Sequence, residues 1–271
     1  MGWGARSGAL SYGKARFLTG QADAVWLPAK LTRRYPVLYM PPGVDVATAG
    51  VDPVAMPGEN KLLGALRQAG ALVVTCDWDI GSGATPYGSS WGAPLIRTYI
   101  DTVRTGLPTV VATLGLANAS LLDVSKIVMV AGSQGAVDCY SYAAANPSRV
   151  KAIGTWAGVT DLTGFYSGTY RWGGDAATGN QAAIAACWAV TPPAALPASA
   201  DPYDNAAAVT CPVLLTYSDG DATVTAASQK AMAAALPNGQ AVSISATDAH
   251  GDTEAGDAVG TLASWVLGQA A

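Results

Sequence analysis

Short apolar runs alternate along this chain with stretches whose apolar residues recur at helical spacing. That is the pattern of a mostly parallel sheet covered by helices. Residues 36–40 (Pro-Val-Leu-Tyr-Met), 71–76 (Ala-Leu-Val-Val-Thr-Cys), 126–130 (Lys-Ile-Val-Met-Val) and 150–156 read as buried strands, followed by 213–217 and 241–246. Residues 14–18 and 24–27 read as opening strands, antiparallel to each other. Between the strands, 60–68 places Leu62, Leu63 and Leu66 on one helical face, and 90–104 turns Leu95, Ile96, Tyr99 and Val103 inward. Further helices are expected from the turn at 131–135 to Asn146, over 225–236 and over 253–267. Only 160–204 breaks the rhythm. It mixes Gly, Pro, Tyr and Trp without a period and is too long for a plain connection, so it reads as an inserted lid or cap in a single domain spanning 1–271.

Composition narrows the function. A chain of 271 residues buries about three-quarters of its unfolded surface and needs no disulfide or metal staple. Half the residues are hydrophobic and only 13% are charged, which excludes a disordered chain. The net charge of −4, without a basic run, excludes a dedicated nucleic-acid binder. A single histidine excludes a multi-histidine metal site, and neither a metal nor an organic cofactor is expected. No stretch reaches the ~18 apolar residues of a membrane span, and the first residues lack a signal-peptide core. Gly2 does not make a myristoylation site, because Arg6 stands where that pattern needs Ser or Thr. Low charge with abundant Ala, Gly and Trp favours an extracellular or virion-associated setting. Cys76, Cys139, Cys187 and Cys211 have no C-x-x-C spacing and are expected as buried free thiols. Gly81-Ser82-Gly83 is not a dinucleotide loop, since Pro86 replaces its third glycine. Asp77 and Asp79 read as turn-forming, and the aromatic residues around the expected active face (Trp91, Trp156 and Tyr166 among them) read first as packing.

The chemistry gathers at Ala131-Gly132-Ser133-Gln134-Gly135, after one strand and before a helix. This is the strand–turn–helix context of a nucleophile elbow, a strained turn that presents a serine hydroxyl above the sheet. Small residues at 131 and 135 are expected there because strand and helix nearly collide. The competing reading of Ser133 is an ordinary helix N-cap.

Two later strands supply partners. Residues 213–217 run into Asp219-Gly220-Asp221-Ala222-Thr223-Val224, and 241–246 into Ala249-His250-Gly251. With the elbow, the chain resembles the α/β-hydrolase superfamily from about residue 36 to its end. The elbow itself is similar to those of cutinase-like and phage-lysin esterases. The resemblance implies a triad in the order Ser133, Asp221, His250, in which imidazole takes the serine proton and the carboxylate holds the imidazole. Asp221 fits the family spacing, with Ser218 three residues before and Val224 three after. Asp219 and Asp161 are the alternatives. The resemblance also implies an oxyanion hole from the amide of Gln134 and one from the loop after 36–40. Pro41 and Pro42 have no N–H, so Gly43 is the first possible donor there and Val44 the next.

The implied reaction is hydrolysis of a carboxylic ester through an acyl-enzyme; the cutinase-like and phage-lysin esterases cleave lipid or cell-envelope esters, but a likeness of a few residues assigns no substrate. A peptidase or a C–C hydrolase on the same scaffold is the alternative chemistry. A binding or structural module that keeps the fold without turnover is the alternative class, and the presence of all three triad residues weighs against it.

Overall fold

The computed structural model describes residues 3–6, 10–15, 23–40, 57–75, 91–169, 177–192, 194–246 and 257–271. Along the chain these form β1 (Trp3–Arg6), β2 (Leu10–Ala15), β3 (Asp23–Trp26), β4 (Val37–Met40), α1 (Pro57–Gln68), β5 (Val73–Thr75) and α2 (Pro94–Leu114). Then come β6 (Ile127–Gly132), α3 (Gly135–Ala145), β7 (Val150–Trp156), α4 (Leu162–Tyr166) and α5 (Ala177–Cys187). The chain closes with β8 (Val213–Ser218), α6 (Ala226–Ala235), β9 (Gly239–Ser245) and α7 (Asp257–Gln269).

The strands form one sheet in the order β1-β2-β3-β5-β4-β6-β7-β8-β9. The opening strands are antiparallel, as expected, and β3 also meets β5 antiparallel. From β5 to β9 every pairing is parallel. The pleat sorts the core into two layers. Val37, Tyr39, Val128, Val130, Ala152 and Leu214 meet Leu62, Leu63 and Leu66 of α1 and Leu262 and Val266 of α7. Their neighbours Leu38, Met40, Met129, Ile153, Val213 and Leu215 meet α2, α3 and α6 on the other face. Strands covered on both faces show no polar alternation, which is why the central ones read as unbroken apolar runs.

Helix α2 departs from expectation at both ends. It begins at Pro94, and Leu95, expected inward, is 55% exposed. The buried stripe is Ile96, Tyr99, Ile100, Val103, Leu107 and Val111. That stripe carries the helix ten residues past Arg104 and through Pro108, to a left-handed cap at Gly115 (φ 67°). The ring of Pro108 lies on the exposed side, so the cost of its missing N–H is offset by apolar residues buried on either side. β1 has no counterpart among the expected strands.

The segment 160–204 folds α4, α5 and a short turn at Ala198–Ala200. Leu162, Phe165, Tyr166 and Ile184 form a third small core with Trp91, Val137 of α3, Val159 and Val224. Cys139 and Cys211 are buried free thiols, as expected, whereas Cys187, at the end of α5, is only half-buried. Burial pushes the Cys211 thiol up to about 12 and that of Cys139 well above its ordinary value. Cys76 lies outside the described residues. Among those described, no helix is long and apolar enough to cross a membrane.

Pro108 generates a stability prediction. Pro108→Ala restores a donor for the Arg104 carbonyl at an exposed position, so the variant is expected to be more stable by about 1–3 kcal/mol in urea unfolding. An unchanged or lowered midpoint would show that α2 has already relaxed around the ring.

Candidate active site

Ser133 sits where β6 gives way to α3, with φ of 41° and 4% exposure. A serine held in the left-handed region is strained, and such strain persists only where surrounding bonds impose it. Here the bonds come from β7 and the residues after it. The Ser133 N–H donates to the Trp156 carbonyl at 3.1 Å, and the Ser133 carbonyl accepts from the Val159 N–H at 2.8 Å. Gln134, not Ser133, is the N-cap residue of α3, so capping does not account for the serine.

Crowding at the elbow falls one residue from where it was expected. Ala131 is fully buried and keeps its methyl group, whereas a Cβ on Gly132 would come within 2.3 Å of the Trp156 indole. That ring stacks on Tyr39 (centroids 5.9 Å apart, planes 18°), which leaves it little freedom to move aside. Farther on, a Cβ on Gly158 would lie 2.7 Å from the Ala136 Cβ. Gln229 of α6, fully buried, donates its side-chain amide to the Gly158 carbonyl at 2.6 Å. Trp156 and Gln229 therefore hold the elbow from two sides. Neither role is local in sequence, so spacing could not reveal it.

The three carboxylates considered for the triad occupy different settings. Asp221 follows β8, is 4% exposed, and accepts from the Thr223 and Val224 N–H groups, both at 2.8 Å. Asp219 turns toward β9, accepting from the Ser243 hydroxyl at 2.6 Å and lying 3.6 Å from the Lys230 ammonium. Asp161 is the N-cap of α4 and accepts from the Gly164 N–H at 2.6 Å. Ser133 follows β6 and Asp221 follows β8, so one strand, β7, separates them at the same edge of the sheet. His250 and Gly43, with Pro41, Pro42 and Val44, lie outside the described residues, as do Asp77 and Asp79.

Gln134 carries a second unusual feature. It is 1% exposed, and neither polar atom of its side chain has a hydrogen-bond partner among the described residues. Its backbone N–H belongs to the opening of α3, where helices leave donors without internal partners. Asp138, fully buried on the same helix, accepts from the Gly92 N–H at 2.7 Å and ties the start of α2 to α3. The available signal for Asp138 was a lone carboxylate inside an otherwise apolar helix. Trp91, Trp156 and Tyr166 are buried in packing, as first read. Among the described residues no cluster of His, Cys, Asp or Glu is arranged to hold a metal ion.

The strain at Ser133 can be measured without any substrate. Ser133→Gly is expected to be more stable than Ser133→Ala by about 1 kcal/mol, because only glycine adopts this φ freely. Equal denaturation midpoints would show that the turn relaxes once the hydroxyl is removed.

A family model described as the prolyl oligopeptidase family matches residues 62–252. The structure resembles an S-formylglutathione hydrolase from Agrobacterium tumefaciens over the whole of both chains, at 15% identity and a TM-score of 0.66. It also resembles Est1E from Butyrivibrio proteoclasticus, at 14% identity and a TM-score of 0.59 over 95% of this chain and 98% of that one. A cold-adapted esterase from an Arctic intertidal metagenomic library aligns over all of both chains at 12% identity and a TM-score of 0.58. No curated protein matches the chain. At these identities the solved structures share the fold, an α/β-hydrolase sheet with helices on both faces. The family match covers well over half the chain, which belongs to the prolyl oligopeptidase family, within the α/β-hydrolase superfamily of serine hydrolases.

Proposed function

We propose that the chain hydrolyses carboxylic esters through an acyl-enzyme on Ser133. The observation that carries this reading is the buried serine held at positive φ between β6 and α3. Strain at a single serine, imposed by bonds from the neighbouring strand, is what presents a nucleophile. Asp221 stands two strands along the same edge, a separation of about 10 Å that one imidazole and its two hydrogen bonds can bridge.

In this mechanism the Ser133 hydroxyl oxygen attacks the ester carbonyl while His250 accepts its proton. The negative charge on the tetrahedral carbonyl oxygen is met by the N–H groups of Gln134 and Gly43. The C–O bond to the alcohol breaks as His250 returns the proton to it. Water then attacks the acyl-enzyme, again through His250, and releases the acid and Ser133. Asp221 keeps the imidazole in the required tautomer and stabilises its protonated form. Residues 160–204 serve as the cap that selects the acyl or alcohol group, and α4 and α5 within that range share a core with Val137 of α3.

An ester is favoured by the structural neighbours described as esterases. Peptide hydrolysis is the second reading, favoured by the family description. Parallel assays with p-nitrophenyl butyrate and an alanyl-prolyl-p-nitroanilide separate the two, and turnover of the anilide alone would overturn the ester reading.

Ser133→Ala is expected to keep the fold, lose labelling by a fluorophosphonate, and lose turnover by about a thousandfold or more. Undiminished turnover in this variant would remove Ser133 from the mechanism. Asp221→Asn is expected to lower kcat by roughly a hundredfold to ten-thousandfold, with Asp219→Asn and Asp161→Asn each within about tenfold of the parent. Circular dichroism confirms folding in each case. A large loss confined to Asp219→Asn or Asp161→Asn would move the acid there.

A further inference from the structure

Among the described residues, Arg97 of α2 is a cation bonded to neutral groups. Its Nε donates to the Ser141 hydroxyl at 2.8 Å and its Nη2 to the Ser199 carbonyl at 3.4 Å, while the guanidinium lies 5.8 Å from the centre of the Trp188 ring. No bond engages Nη1, and no carboxylate among the described residues reaches ion-pair distance of the guanidinium. Asp138, one turn before Ser141 on α3, accepts from Gly92 and makes no ion pair with Arg97. Asp201 is nearby but accepts from the Thr163 N–H at 2.7 Å through one oxygen and the Tyr203 N–H at 2.9 Å through the other. Arginine keeps its charge even where burial disfavours it, so this site holds a part-buried positive charge with no ion-pair partner among the described residues.

The same guanidinium lines a cavity of about 130 Å³ between α2, α3 and residues 199–208. Ser141, Ser199, Asp201 and Asn205 are among its other polar walls, and Ala144, Ala200 and Ala208 among its apolar ones. A volume of this size suits a small molecule of a few heavy atoms. Ser141 lies eight residues after Ser133, about 12 Å along α3, so the cavity is separate from the elbow.

We propose that this cavity binds a short-chain aliphatic monocarboxylate, with the carboxylate on Arg97 and the alkyl chain against the alanine methyl groups. A guanidinium with an unused N–H group recognises a carboxylate by charge-assisted hydrogen bonding. The alanine walls favour an alkyl chain over a further polar group. Asp201 on the same wall repels any anion, and a dianion such as phosphate more strongly than a monocarboxylate. The proposal does not depend on Ser133 being a nucleophile.

Calorimetric titration of the full chain with butyrate, butyramide and inorganic phosphate at constant ionic strength tests it. Butyrate is expected to bind saturably, butyramide not at all, and phosphate more weakly than butyrate. Arg97→Gln removes the charge, and Ala144→Leu fills the cavity while leaving the Arg97 bonds to Ser141 and Ser199 in place. Both are expected to weaken butyrate by at least about tenfold, with near-ultraviolet circular dichroism unchanged in Ala144→Leu. Absence of saturable butyrate binding, equal binding of butyramide, or tighter binding of phosphate would each overturn the proposal. So would a loss seen in Arg97→Gln but not in Ala144→Leu, which would reveal a structural tether rather than a ligand site.

Discussion

The contact between the Trp156 indole and the backbone of Gly132 is the constraint on which the rest of the candidate site depends. It occurs where the last residues of β6 and β7 face each other in register, Gly132 opposite Trp156. The ring fills the space a side chain at 132 would need, and Tyr39 on β4 supports it from the other side. With that space closed, the chain leaving β6 turns sharply, and Ser133 accepts positive φ with its N–H and carbonyl bonded to the β7 side. Sheet packing thus sets the geometry of the serine before any chemistry is considered.

From there the arrangement follows from parallel pairing. β6, β7 and β8 run side by side in the same direction, so the residues that follow them emerge along one edge of the sheet. Ser133 and Asp221 are brought to that edge by strand order alone, though 88 positions separate them in sequence. Gln229 strengthens the arrangement from α6 by fixing the Gly158 carbonyl, one residue before the N–H that holds Ser133.

What could be read from the sequence followed from locality. The central strands were legible because burial on both faces leaves an uninterrupted apolar run, and the elbow because small residues must follow such a strand. The resemblance to the α/β-hydrolase pattern pointed to Asp221 over Asp219, and the two differ in setting, since Asp219 is engaged by Ser243 and Lys230 and Asp221 by the Thr223 and Val224 N–H groups. The exposed Leu95 and the true end of α2 were not legible. A helical stripe reads equally well when shifted by one residue, and a proline on the solvent side is tolerated where the stripe continues. The position of the crowding at 132 was missed because the group responsible, Trp156, is 24 residues away. His250 and Gly43 rest on sequence reasoning alone.

The third small core limits how the segment 160–204 can move. Breaking this core open would return Leu162, Phe165 and Ile184 to water, at a cost of about 1.5–3 kcal/mol each. Their sum, roughly 5–9 kcal/mol, is comparable to the whole stability of an ordinary domain. The segment is therefore no swinging door. α4 and the Ile184 end of α5 thus stay anchored to each other and to Val137 of α3.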